Sequence, residues 1–270
     1  MASAPTPALT PDEINQLRDR VLAAQKGAYA IPKLTDDFPA MTIADGYAVQ
    51  NALRRRLCAE GGRQAGWKIG LTSKAKMLQM GVSVPSIGFL MVDTERAAGS
   101  TVTTHDLVHP RVECEIAFFT KTELHGPDCT AEQVLAATDY VVPALEIIDS
   151  RFSGFKFDLP SVIADNGSSA RFVPGSTRHA VDAFDLSAIH VALEKNGEPV
   201  AAGVSDAVLG NPAIAIAMLV NLLAEQGETL PAQSFVMSGA ITEAIPVKPG
   251  DNIRATFDGM GEITIQFVAA

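Results

Sequence analysis

The chain has 270 residues, 47% of them hydrophobic and 19% charged, with a formal net charge of −10. That length suits one large domain, or one domain with a small appendage, and the apolar content is ample for a core. The negative charge argues against nucleic acid or an anionic membrane as partner, and it means that an anionic substrate needs a local cation to attract it.

Thr10-Pro11-Asp12-Glu13 reads as a helix start, with Thr10 as cap, Pro11 at the first helical position and Glu13 completing a capping box. Ile14, Leu17, Val21 and Leu22 then form one apolar face, and Gly27 ends the helix. A Pro-containing loop over 31–41 leads to a second helix, from Thr42 to near Glu60, stopped by Gly61-Gly62. Residues 1–65 are therefore expected to be a helical N-terminal segment, and 66–270 the main domain. Nothing at the start, Met1-Ala2-Ser3-Ala4-Pro5, has the basic and apolar regions of a signal peptide. Cys58, Cys114 and Cys129 form no CxxC pair, which fits reduced thiols in a cytoplasmic protein.

From Gly66 the character changes. Gly66-Trp67-Lys68-Ile69-Gly70 reads as a strand, followed by a short helix capped by Ser73 and closed by Gly81. Lys68, set among apolar residues and glycines, is either a snorkelling lysine or a desolvated active-site cation. Strands are expected at 89–93 and 101–104, through Glu113, and, after a helix opened by the capping box Thr130-Ala131-Glu132-Gln133, through Glu146. Ser161 to Ala170 reads as an apolar strand ending in small polar residues. His190–Lys195, the turn Asn196-Gly197 and Pro199–Ala202 form a hairpin. Asn211-Pro212 starts an apolar helix that Gly227 ends; its apolar run, about 213–220, is short for a bilayer. Strands at 234–238, 252–257 and 262–268 close the chain. Many strands with a few helices, and no regular βαβ alternation, indicate an α+β domain on a curved or rolled mixed sheet.

Two stretches carry the chemistry. Glu113 and Glu115 sit two apart on one strand, so their side chains share a face, about 7 Å apart at the backbone. Glu146 interrupts an otherwise apolar run, where a carboxylate needs a partner. Three carboxylates at about 4 Å would repel by about 4 kcal/mol per pair at an effective dielectric of 20, and a divalent cation would turn that into binding. An all-oxygen set suits Mg²⁺ or Mn²⁺. The plainer alternatives are a solvated strand face for Glu113 and Glu115, and a buried ion pair for Glu146. No GxGxxG, P-loop or GxSxG motif is present. Of five scattered histidines, only His109 lies near the Glu113 strand.

Lys68-Ile69-Gly70-Leu71-Thr72-Ser73, Glu113-Cys114-Glu115, Glu146 with Asp149-Ser150-Arg151, and Asp165-Asn166-Gly167-Ser168 together resemble the fumarylacetoacetate hydrolase superfamily, and more narrowly its hydratase/decarboxylase branch. The similarity runs from about residue 10 to 268. Phe155-Lys156-Phe157-Asp158-Leu159, Glu194-Lys195-Asn196-Gly197-Glu198 and Leu222-Leu223-Ala224-Glu225 carry the finer likeness to its decarboxylases. The resemblance implies a mixed β-roll with a smaller N-terminal part. It implies Glu113, Glu115 and Glu146 as ligands of Mg²⁺, for which Mn²⁺ can substitute. It further implies Lys68 as a catalytic residue and Ser168, Thr72 and Arg151 as substrate-binding. Gly167 stands where the family has alanine.

The implied reaction is decarboxylation of the dicarboxylate 2-oxo-3-hexenedioate in the meta-cleavage degradation of aromatic compounds. Loss of CO₂ from C6 leaves two electrons that run through the C3=C4 alkene to the C2 oxygen, where a cation acts as electron sink. No nucleophile is needed. The implied partners are other copies of the chain and a sibling hydratase.

The first alternative is that hydratase activity itself, on 2-hydroxypenta-2,4-dienoate. Hydratases of the branch carry an acidic residue after the proline in the segment matching Val84-Pro85-Ser86-Ile87-Gly88, and here Ser86 and Ile87 stand instead. C–C bond hydrolases of the superfamily use a His–Glu pair upstream of the metal strand, whereas the first histidine here is His105. A non-catalytic partner subunit on the same fold is the alternative from another class.

Overall fold

The computed structural model describes residues 7–72 and 85–270. Helix α1 (Pro11–Gly27) begins at the expected capping box: Thr10 Oγ1 accepts from the Glu13 N–H, and the Glu13 carboxylate accepts from the Thr10 N–H. Helix α3 (Ile43–Ala59) repeats the device with Thr42 and Asp45. The loop between them contains one extra turn, α2 (Leu34–Asp37). The short helix expected from Ser73 to Gly81 lies outside the described residues.

Two mixed sheets follow. The first is built from β1 (Gln64–Gly70), β2 (Ser86–Met91), β4 (Pro110–Thr120), β5 (Thr138–Asp149), β6 (Ser169–Pro174) and β9 (Phe235–Met237), in the order β2-β1-β9-β4-β5-β6, with the short β10 (Ile245–Pro246) beside β4. Only β1 and β9 run parallel among its described pairs. The second orders β3 (Thr101–Thr103), β12 (Gly261–Val268), β11 (Asn252–Phe257), β7 (His190–Lys195) and β8 (Glu198–Val204) in that sequence. The β7–β8 turn places Asn196 at φ 57° and Gly197 at φ 83°, the left-handed pair that a two-residue hairpin requires.

The first sheet is rolled. Just past β2, the Arg96 N–H donates to the Phe172 carbonyl at 2.8 Å, and Glu95 bridges Phe172, so the two edges of the sheet approach. Leu90, Ala117, Val142, Ala144, Phe172 and Met237 pack inside the roll. On β4 and β5 the residues of this cluster alternate in step with Glu113, Glu115 and Glu146, so roll interior and carboxylates share one face. The opposite side belongs to a larger core, shared by Leu17 of α1, Leu53 of α3 and Ile253 and Phe267 of the second sheet. Burying each large aliphatic side chain there contributes about 1.5–3 kcal/mol.

Two expectations are corrected. Residues 159–164 form a helix, α5 (Leu159–Ala164), where an apolar strand was expected. Asp158 is the reason: it caps the Ser161 N–H at 3.1 Å, and Pro160 sits in the first turn, so a start signal outweighs the apolar content. The second concerns the apolar helix, α6 (Pro212–Glu225). Together with the turn before it, Ser205–Glu225 is by length and composition long enough to cross a membrane, more than the run at 213–220 indicates. Its Ile216, Leu219, Val220 and Leu223 are spent in the protein core. Helix α4 (Ala131–Ala137) starts at Thr130 as expected.

Candidate active site

Antiparallel pairing sets Glu113 of β4 opposite Glu146 of β5, with Glu115 opposite Ala144. The three carboxylates are buried, and one oxygen from each lies within 4.8 Å of the others. Burial, then the Glu146 charge, push the Glu115 carboxyl well above the usual carboxylate range, with Lys68 offsetting only part of the rise. Burial raises Glu146 as well, against the lowering effect of Lys68.

Lys68 comes from β1, two strands away from β4 across β9. It is 4% exposed. Its Nζ lies 2.6 Å from both Glu146 oxygens and donates to Oε2, and it donates to the Gly167 carbonyl at 3.2 Å. Glu146 Oε1 is in ionic contact with the ammonium but out of line for a hydrogen bond, and among the described residues it has no other donor. An orphaned buried carboxylate oxygen, among three carboxylates and with no His or Cys in the set, fits a hard divalent cation.

The stretch after α5 makes a left-handed turn. Asn166, Gly167 and Ser168 have φ of 55°, 61° and 60°. Holding a residue other than glycine there costs about 1–2 kcal/mol, so the surroundings must impose it. Ser168 is 2% exposed and its Oγ has no hydrogen-bond partner among the described residues, which leaves a buried donor for a ligand. Gly167, standing in place of the family's alanine, suits its positive φ.

Arg151, expected at the substrate, is instead enclosed by protein. Its Nε donates to Asp165 Oδ1 at 2.6 Å, its Nη2 to the Asp165 carbonyl at 2.7 Å and its Nη1 to the Ser169 carbonyl at 3.4 Å. Burial raises the Asp165 carboxyl to about 6, with Arg151 opposing the rise. A cavity of about 100 Å³ touches Arg151, Asn166 and Ser169 but none of the three glutamates, so it adjoins the turn and not the carboxylate cluster.

Thr72 is buried just past β1, where Leu71 turns the chain at φ 59°. It packs against Gly239, whose N–H donates to Glu115 Oε2 at 2.8 Å. Gly239 has φ 105° and no room for a Cβ beside Thr72. Sequence reasoning missed Gly239; the signal was Ser238-Gly239 directly after the apolar Phe235-Val236-Met237. His109 is structural: its Nδ1 meets the Ser150 carbonyl at 3.0 Å, and its N–H donates to Asp149.

Comparison with known proteins agrees with this architecture. A sequence profile of the fumarylacetoacetate (FAA) hydrolase C-terminal family matches residues 69–268. Over 260 residues the chain is 50% identical to a 4-oxalocrotonate decarboxylase of Pseudomonas sp. strain CF600, covering 96% of this chain and 98% of that one. It is 38% identical over 250 residues to a 2-hydroxyhexa-2,4-dienoate hydratase of Comamonas testosteroni, covering 92% and 95%. The fold superimposes on 4-oxalocrotonate decarboxylase from Pseudomonas putida G7, solved with magnesium and adipate, with TM-score 0.96 and 47% identity over 97% of this chain and 100% of that one.

Proposed function

The chain belongs to the fumarylacetoacetate hydrolase C-terminal family, and from that premise we propose that it is a Mg²⁺-dependent carboxy-lyase that converts 2-oxo-3-hexenedioate (4-oxalocrotonate) into CO₂ and 2-hydroxypenta-2,4-dienoate. The observation that carries this reading is full-length likeness to a decarboxylase at 50% identity, on a chain that keeps three buried, convergent glutamates and a buried lysine beside them.

In this reading Glu113, Glu115 and Glu146 hold the ion. When bound, the ion supplies Lewis-acid stabilisation for negative charge developing on the 2-oxo group. The chain's own residues do the rest. The Gly239 N–H holds one Glu115 oxygen and so orients that carboxylate. The Lys68 ammonium brings positive charge to an acidic protein that must accept a dianion. Ser168 offers a hydroxyl donor, and Thr72 lines the same end of the roll. The apolar interior of Ala117, Ala144 and Phe172 keeps water low, so the charges act at short range and low dielectric. Arg151 enters the reading as the anchor of the 165–168 turn. The C5–C6 bond breaks, CO₂ leaves, and the electron pair moves through C4 and C3 to the C2 oxygen, which is then protonated.

Hydratase activity is the second reading, favoured by 38% identity to a hydratase over 92% of the chain. At the place where hydratases of the branch carry an acid, β2 has Ser86 and Ile87, both buried, and neither is a carboxylic acid. Assembly into a homo-oligomer that pairs with a sibling hydratase, residence in the cytoplasm, and residues 1–65 as a helical cover for the catalytic part complete the proposal.

The test is incubation with 2-oxo-3-hexenedioate and Mg²⁺, following CO₂ and the dienol together. CO₂ release matching substrate loss is expected. With 4-hydroxy-2-oxopentanoate as the main product, the decarboxylase reading fails in favour of the hydratase.

A further inference from the structure

We infer that Asn166 is a positioning residue, acting through Lys68 and Ser168; the inference rests on the roles given to those two side chains above. Strand β2 is an edge of the rolled sheet among the described strands, so the outward N–H and C=O of Phe89 face no described neighbouring strand. Asn166 takes that strand's place. Its Oδ1 accepts from the Phe89 N–H at 2.9 Å, and its Nδ2 donates to the Phe89 carbonyl at 2.9 Å. A primary amide carries acceptor and donor in one plane, as a peptide group does, so it can complete an open ladder. Asparagine also tolerates the φ of 55° found here better than other side chains. Gly88 makes room for the arrangement: a Cβ there would lie 3.0 Å from the Asn166 carbonyl oxygen, 3.1 Å from Oδ1 and 3.1 Å from Lys68 Cγ.

The turn is thus gripped at two successive residues. Asp165 is tied to the end of β5 through Arg151, and Asn166 is tied to β2 through Phe89. Directly beyond the grip lie the two groups that face the site. The Gly167 carbonyl receives the Lys68 ammonium at 3.2 Å, and the buried Ser168 hydroxyl has no partner among the described residues. Gln50 links the Ile87 carbonyl of β2 to the Ile163 carbonyl of α5, before the turn. Among the described residues the Asn166 amide is the tie from β2 to the turn itself, and so holds the distance between the turn and Lys68 on β1. Asn166 therefore sets where two substrate-facing groups stand.

The experiment compares Asn166→Gly, Asn166→Ala and Asn166→Asp in the full-length protein. Glycine keeps the left-handed backbone and removes the amide; alanine removes both; aspartate keeps an acceptor for the Phe89 N–H and loses the donor. Mn²⁺ affinity, read by electron paramagnetic resonance, is expected to stay within about twofold of wild type in all three, because the glutamates are untouched. In Asn166→Gly, kcat falls by about tenfold to a hundredfold with a smaller change in KM, as for a misplaced catalytic group. Asn166→Asp is expected between glycine and wild type. Amide hydrogen exchange over residues 162–172 is expected to quicken in Asn166→Gly while the core strands keep their protection. Wild-type kcat and KM in Asn166→Gly would show the amide to be structural only and overturn the inference, as would unchanged exchange over 162–172. Lys68→Ala, run alongside, isolates the underlying reading: normal turnover there refutes the role of Lys68, while the exchange measurement still decides whether Asn166 holds the turn.

Discussion

Glu113 and Glu146 stand directly opposite one another across the β4–β5 ladder, and Glu115 joins them to place three carboxylates within 4.8 Å in a buried site. Like charges in that position are destabilising, at about 4 kcal/mol per pair for 4 Å and an effective dielectric of 20. Lys68 offsets one charge. A divalent cation offsets the remaining two, and four outcomes follow from this arrangement and its supports.

Mg²⁺ or Mn²⁺ should stabilise the fold by about 2.7 kcal/mol at a concentration one hundred times the dissociation constant, and raise the unfolding midpoint with it. EDTA should return it. Glu115→Gln should stay folded and lose most of this rise together with activity. An equal rise in that variant, measured by thermal melts with and without Mg²⁺, would exclude Glu115 from the metal set.

Stability should depend on pH through the same carboxyls. In EDTA-treated protein both Glu115 and Glu146 have folded values above the unfolded one. The folded chain then holds their protons more tightly than the unfolded chain does. Their contribution is fully present below about pH 4 and is lost as pH rises through the raised folded values. Protons also compete with the ion, so metal affinity should climb with pH, by up to about tenfold per unit for each proton displaced. Urea midpoints from about pH 5 to 8, as the difference between wild type and Glu115→Gln, check the first part, and titration with Mn²⁺ checks the second. A metal affinity flat across that range contradicts the assignment.

Lys68→Ala should keep its metal, which comes from the three glutamates, and lose about a hundredfold or more in turnover, the scale of a missing proton-transfer or charge-stabilising group. Lys68→Arg should not restore it. The guanidinium is larger than the ammonium that fits between Glu146 and the Gly167 carbonyl, and it does not give up a proton. Near-normal kcat and KM in Lys68→Ala would make Lys68 an ordinary buried ion-pair lysine.

Arg151→Met should destabilise by about 3–5 kcal/mol, because it strands the Asp165 carboxylate in the interior. Adding Asp165→Leu should recover much of that, since removing both charges costs far less than removing one. Urea denaturation measures both. If Arg151→Met keeps full stability and fails only to bind substrate, the guanidinium faces substrate, as the family resemblance first implied, and not Asp165.

Much of the local structure was legible in the residues. The Thr10 and Thr130 capping boxes, the helix starts at Thr42 and Asn211-Pro212 and the Asn196-Gly197 hairpin all occur where the sequence places them. Each depends on contacts within four residues, and short-range sterics and hydrogen bonds decide such contacts. The miss at 159–164 is of the same local kind: Asp158 and Pro160 marked a helix start, and the apolar run that followed was read as a strand.

The site divides the same way. That Glu113 and Glu115 share a face follows from the two-residue period of a strand and needs no tertiary information. That Glu146 meets them depends on strand register, where a slip of one residue would turn it to the opposite face. The Lys68–Glu146 contact, the Asn166 clasp on Phe89, the Arg151–Asp165 pair and the Gly239 N–H on Glu115 are all choices of the rolled sheet. The sequence by itself determined the elements and which residues could do chemistry. Only the tertiary structure decided which of them meet, because that depends on non-local pairing, on burial, and on buried polar groups having to find partners across the roll.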